Sequence, residues 1–176
     1  MQKDIKDLKI LIDNKKLIER IKTLADEINN SYKENETIYA VCILKGAVMF
    51  YTHLVKYLKM PLKMEFISLS SYKNSFSSTG EIQHGAIKTN FENKNVLIIE
   101  DIMDTGLTLD FLVKHLKENS NAKSVKTAVL FNKKCARKHD IQPDFYAFDI
   151  DDKFIVGFGL DYLELYRNID YIGYFE

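Results

Sequence analysis

Tryptophan is absent from the 176-residue chain, and proline (2), cysteine (2) and glycine (7) are scarce. So little proline and glycine excludes collagen-like and low-complexity chains. Two cysteines, Cys42 and Cys135, form no disulfide framework and have no metal-ligand spacing. An excess of one charge is also missing: 25 Lys and Arg balance 25 Asp and Glu, for a formal net charge of zero. No basic field covers the molecule, which argues against a nucleic-acid partner or an anionic membrane surface. The longest apolar run, Ile38 to Leu44, falls far short of the ~20 residues that span a bilayer. Lys3, Asp4, Lys6, Asp7 and Lys9 open the chain with no apolar leader core behind them. These absences predict a cytoplasmic protein in a reducing compartment.

What the chain does have is a globular profile, 46% hydrophobic and 28% charged, and enough length for one domain over residues 1–176. Leu17, Ile18, Ile21, Leu24, Ala25 and Ile28 recur with helical spacing behind a cap at Asp13 or Asn14. Ile38–Leu44 reads as a buried strand, followed by Lys45-Gly46 and a helix through about Leu58 that Pro61 ends. Leu62 to Ser70 alternates as a strand, with Leu62, Met64, Phe66 and Ser68 on one side. Ser71 to His84 is a long polar loop, a pattern often used for a lid. Val96–Ile99, Val125–Phe131, Phe145–Ile150 and Ile155–Phe158 read as further strands, and Leu109–Leu116 as a helix after a turn at Asp101–Thr108. Strands alternating with helices predict an α/β fold with a mostly parallel sheet flanked by helices. The N-terminal segment (about 1–35) and the C-terminal segment (about 145–176) are expected to form a small hood over one end of it.

The chemistry concentrates in Val96-Leu97-Ile98-Ile99-Glu100-Asp101-Ile102-Met103-Asp104-Thr105-Gly106-Leu107-Thr108. An apolar strand runs into two adjacent carboxylates, then a third, then a Thr-Gly-x-Thr turn that opens a helix. In open parallel sheets, ligands bind beyond the carboxyl ends of the strands. The helix N-terminus offers free N–H groups and a favourable dipole to an anion. Thr105 and Thr108 add hydroxyls, and Gly106 allows close backbone approach. This is a phosphate cradle without the lysine of the triphosphatase loop. Glu100 and Asp101 suit a vicinal diol or Mg²⁺. A sugar diol with a phosphate nearby satisfies both halves. None of the four histidines is assigned to the site.

Val96–Thr108 resembles the phosphoribosyl-pyrophosphate signature of type I phosphoribosyltransferases, closest to the hypoxanthine-guanine branch with Glu-Asp-x-x-Asp-[Ser/Thr]-Gly-x-Thr. Leu44-Lys45-Gly46 is similar to that family's pyrophosphate loop, which often carries a non-proline cis peptide. Ser71-Tyr72 is similar to the start of its lid, Phe154–Tyr162 to its base-binding hood, and Arg167 falls where the family keeps an arginine.

The resemblance implies a role for each. Asp104 would face N7 of a purine as general acid–base. Lys45, Gly46 and Arg167 would bind the pyrophosphate, and Glu100 and Asp101 the ribose hydroxyls. Thr105, Gly106, Leu107 and Thr108 would hold the 5-phosphate. Leu107 stands where relatives often have a polar residue, and backbone N–H groups carry that contact. Lys133, or Lys134 on a one-residue slip, would donate to the 6-oxo group. Phe154 would stack on the base and Ile155 would offer its carbonyl to a 2-amino group. Glu100, Asp101 and Asp161 would hold Mg²⁺. The expected partners are phosphoribosyl pyrophosphate, a 6-oxopurine and further copies of the chain, as a dimer or tetramer. The rivals are a phosphoribosyltransferase for another base and a non-catalytic regulator of the same fold. Lys133 and the hood speak against the first; zero net charge speaks against the second.

Overall fold

A computed structural model describes residues 7–68 and 89–175 of the chain. The lid expected from Ser71 and Tyr72 lies outside the described residues. Strand β1 (Lys9–Ile12) leads into helix α1 (Asn14–Asn29). Asp13 is the cap: its carboxylate accepts from the Lys16 N–H at 2.8 Å. Asn14 instead donates to the Asp170 carbonyl at 2.7 Å, tying the helix start to the C-terminal segment. Strand β2 (Ile38–Leu44), helix α2 (Val48–Leu54) and strand β3 (Leu62–Ser68) follow. Then come β4 (Asn95–Met103), α3 (Leu107–Glu118), β5 (Ser124–Asn132), β6 (Phe145–Asp149), β7 (Ile155–Val156) and β8 (Ile172–Tyr174).

Five strands form one parallel sheet in the order β3-β2-β4-β5-β6. Residues buried on both faces explain why β2, β4 and β5 read as continuous apolar runs. Ala40, Cys42, Leu97, Ile99, Ala128 and Leu130 pack toward α1 and α2, against Leu17, Ile21 and Phe50. Their neighbours Val41, Val96, Ile98 and Val129 pack the other way, against Leu109, Leu112 and Leu116 of α3. Truncating one of these fully buried leucines to alanine costs about 2–5 kcal/mol. The Tyr51 hydroxyl donates to the Ala40 carbonyl at 3.0 Å and fixes α2 to the sheet. On the edge strand β3 the sides are reversed from ordinary amphipathic order: Ile67 is buried, whereas Met64 and Phe66 are each 50% exposed.

A second sheet, antiparallel and of order β1-β8-β7, sits over the larger one. It departs from the expected hood in two ways. The N-terminal contribution is β1, while α1 packs on the large sheet beside α2 and β6. Residues 145–149 are β6, the edge of that sheet, so the C-terminal contribution starts at β7. Among the described residues no helix is long and apolar enough to cross a membrane.

Candidate active site

From β2 the chain passes to β3 on one side and then to β4 on the other. This makes a switch point between β2 and β4, where the carboxyl ends of the strands leave a crevice. The peptide Leu44–Lys45 at the end of β2 is cis. Gly46 lies against the carboxylate of Asp101, so closely that any Cβ would overlap it. From above, Gly159, at φ +104°, lies against the Gly46 carbonyl with equally little room. Three segments far apart in sequence therefore meet at the loop expected to bind pyrophosphate.

The strand was expected to end at Ile99 and the turn to open at Asp101, but β4 runs on to Met103, so Glu100 and Asp101 both sit on the strand. Strand geometry sends them to opposite faces. Glu100 is 9% exposed. Burial, then the neighbouring Asp101, raises its carboxyl well above the usual range. Burial likewise pushes Asp101 up to about 6; Arg167 opposes that rise and Asp161 adds to it. Two adjacent acids that are costly to ionise suit a cation or a diol.

The turn after β4 is shorter than the expected Asp101–Thr108, because β4 runs to Met103 and α3 starts at Leu107. Gly106 adopts φ +86°, a left-handed conformation, and its missing Cβ leaves room for Ile141 and Arg137 at 3.0 and 3.1 Å. Glycine is thus needed for the turn and for packing on the 137–141 loop. The first bond closing α3 runs from Asp110 N–H to the Gly106 carbonyl. The N–H groups ahead of it have no intrahelical acceptor, and the Thr105 hydroxyl caps Leu107 N–H at 3.3 Å. Thr108 lies in the first turn of α3, half-buried, and Leu107 is 37% exposed. Asp104 is exposed at the mouth of the crevice.

Lys133 and Lys134 diverge. The Lys133 side chain is 14% exposed and its ammonium meets Asp152 at 2.7 Å. That hydrogen bond, with the Asp152 and Asp104 charges, raises its pKa. Lys134 is exposed and turns to Asp149 and the Tyr146 ring, away from Asp104. The Lys133 N–H donates to the Met103 carbonyl at 3.0 Å, so the ends of β4 and β5 are joined where the two candidate base contacts emerge. Phe154, 60% exposed, meets Tyr162 edge-on, and Ile155 is buried in β7.

Arg167 pairs with Asp161 at 2.7 Å and Glu164 at 3.3 Å and donates to the Gly159 carbonyl at 2.8 Å. Its Nε is buried without a partner among the described residues. Lys45 reaches Glu164 at 2.9 Å, so one carboxylate spans both candidate pyrophosphate cations. Glu164 carried no signal in the sequence. Neither did Arg137, which resembled one more charge in a solvated basic loop. That loop is a brace: Lys138 and His139 N–H groups donate to the Thr105 carbonyl at 3.0 and 3.1 Å, and Arg137 grips the Met103–Asp104 turn.

Residues 7–163 match the model of the phosphoribosyl transferase domain. The chain belongs to the phosphoribosyltransferase family. Within it, the chain is 42% identical to the hypoxanthine-guanine phosphoribosyltransferase of Bacillus subtilis, over 98% of this chain and 94% of that one. It is 40% identical to that of Streptococcus thermophilus with the same coverage. The solved hypoxanthine phosphoribosyltransferase of Staphylococcus aureus superposes with a TM-score of 0.89 at 37% identity, covering 97% of this chain and 93% of that one.

Proposed function

We propose that this chain transfers the 5-phosphoribosyl group from phosphoribosyl pyrophosphate to hypoxanthine or guanine, or xanthine, releasing pyrophosphate. It would serve purine salvage in the cytoplasm. The observation that carries the reading is a chain of contacts at the carboxyl end of the large sheet. Gly46 lies on Asp101, Gly159 lies on the Gly46 carbonyl, Arg167 and Lys45 share Glu164, and Lys133 is bonded to Met103 next to Asp104 and the start of α3. The relatives named above support it.

Each group then has a task. Glu100 and Asp101 accept hydrogen bonds from the ribose hydroxyls. Thr105 to Thr108 hold the 5-phosphate through N–H groups and hydroxyls. Lys45, Gly46 and Arg167 take the charge that develops on the departing pyrophosphate. The substitution breaks the bond from C1 of the sugar to pyrophosphate and makes one to N9 of the purine. Asp104 accepts or returns the ring proton. Lys133 donates to the 6-oxo group, Phe154 covers the ring and Ile155 offers its carbonyl.

Mg²⁺ fits the donor set: hard oxygens, in one or two carboxylates, with substrate oxygens completing the shell. Among the described residues no group of three or more His, Cys, Asp or Glu gathers to hold a metal alone. Glu100, Asp101 and Asp161 would hold it, and it would neutralise charge on the pyrophosphate. A homo-oligomer accords with the apolar Met64 and Phe66 exposed on β3.

The deciding assay incubates each purine with phosphoribosyl pyrophosphate and Mg²⁺ and follows nucleotide formation. Hypoxanthine or guanine should be used at least ~10⁴-fold better than adenine, because the adenine 6-amino group offers the Lys133 ammonium no acceptor. Lys133→Met should lose that activity and Lys134→Met should keep most of it. Efficient use of adenine by the unaltered protein would overturn the base assignment.

A further inference from the structure

The β4–β5 ladder ends at the pair Met103 and Asn132. Beyond it lie Asp104 on one strand and Lys133 on the other, the two side chains that would grip the base. Besides the Lys133 N–H bond to Met103, what bridges the strand ends is one guanidinium. Arg137 Nε donates to the Asp104 carbonyl at 3.2 Å, and Nη2 donates to the Met103 carbonyl at 3.3 Å and to Asn132 Oδ1 at 2.7 Å. Nη1 donates to the Ile141 carbonyl at 2.7 Å and lies 2.8 Å from the Met103 sulfur. One rigid planar group thus reaches β4, β5 and the returning loop at once.

Its partners are neutral. Burial lowers the Arg137 pKa, and the charge of Asp104 partly opposes this. A half-buried cation held by carbonyls alone is poorly suited to stability, since an apolar side chain would avoid the desolvation. It is well suited to geometry, because the fork of fixed donors sets the positions of several acceptors together.

We propose that Arg137 is a positioning residue that sets the spacing between Asp104 and Lys133 and thereby the enzyme's selectivity for the base. The proposal rests on the function proposed above. Arg137→Lys and Arg137→Met are the variants of choice, because both keep an atom near Cδ, which lies over the open side of Gly106. Neither can span the same acceptors. Initial rates would be measured with hypoxanthine and adenine, with KM for phosphoribosyl pyrophosphate and the melting temperature alongside.

Both variants should lose about 10- to 100-fold in kcat/KM for hypoxanthine, the scale of a misplacement near 1 Å. The hypoxanthine-to-adenine ratio should fall about tenfold or more, while KM for phosphoribosyl pyrophosphate stays within about threefold, since α3 still forms the cradle. A ratio unchanged in both variants, or fully restored by lysine, would overturn the proposal. Should both fold poorly, Asn132→Ala, which removes one acceptor of the fork, decides: a reduced ratio supports it and an unchanged one refutes it. If the unaltered protein transfers to no purine, the functional reading fails; if it discriminates and the variants still do, only the role of Arg137 fails.

Discussion

Burial makes the ionised form of Asp101 costly. Its carboxyl is pushed from 3.8 to about 6, mainly by burial. Between those values the folded protein binds more protons at this site than the unfolded chain does. Ionisation of Asp101 therefore removes stability as pH rises through the window, and the loss is complete above about 6. A rise of about two units corresponds to at most about 3 kcal/mol, and partial solvent access trims it to about 1–3 kcal/mol. Asp101→Asn removes the charge. The variant should gain stability relative to the parent at pH 8, and the gain should shrink toward pH 4, where the parent is protonated. At ~2–4 °C per kcal/mol for a chain of this size, the pH-dependent part amounts to about 2–12 °C. Carboxylates whose pKa is lowered act with the opposite sign. Glu36, Asp110 and Glu164 are lowered by hydrogen bonds and nearby lysines, and their stabilisation is lost as pH falls. The difference between variant and parent removes their contribution and leaves that of Asp101 with its coupled neighbour Glu100. Urea melts at each pH from 4 to 8, with a chelator present, supply it. A difference that does not vary with pH would refute the account of a buried acid kept for function. The stabler variant should also bind phosphoribosyl pyrophosphate more weakly.

Asp104→Asn should lower turnover by about 10²-fold or more, with a smaller change in phosphoribosyl pyrophosphate binding; single-turnover kinetics check this. Gly106→Ala should destabilise by about 1–3 kcal/mol, because φ +86° disfavours a side chain and Ile141 and Arg137 occupy its space. Denaturant titration measures it. Gly159→Ala meets the Gly46 backbone itself and should raise KM for phosphoribosyl pyrophosphate while leaving α3 intact, as separate binding and circular dichroism measurements would report.

The large sheet was legible because its signals are strong and local. The 3.6-residue spacing of α1 and the apolar runs of β2, β4 and β5 reflect burial that no tertiary contact overrides. The small sheet was hard to read for the opposite reason. Strands β7 and β8 have two and three residues, and β1 has four; each exists only because another segment pairs with it. Between β7 and β8, Phe158, Leu163, Glu164 and Tyr166 adopt φ from 50° to 71°. Bulky residues in that region are enforced by their surroundings, and nothing in their identity announces it.

The candidate site was legible as residue types and less so as geometry, and the misses share a cause. The strand was read as ending at Ile99 and the turn as opening at Asp101, since carboxylates are depleted in strands. The structure puts Glu100 and Asp101 on the strand, one of them buried. Nothing in the sequence singled out Arg137, since unpaired cations are seldom buried, yet it is half-buried with neutral acceptors. Nor did anything single out Glu164, although that carboxylate joins Lys45 to Arg167. Each departure lies near the carboxyl end of the large sheet. Two adjacent acids are costly to ionise there, two cations lean on one carboxylate, and the Arg167 Nε has no acceptor among the described residues. Departures from the rules of stability that cluster in this way accord with the site proposed above for a sugar phosphate.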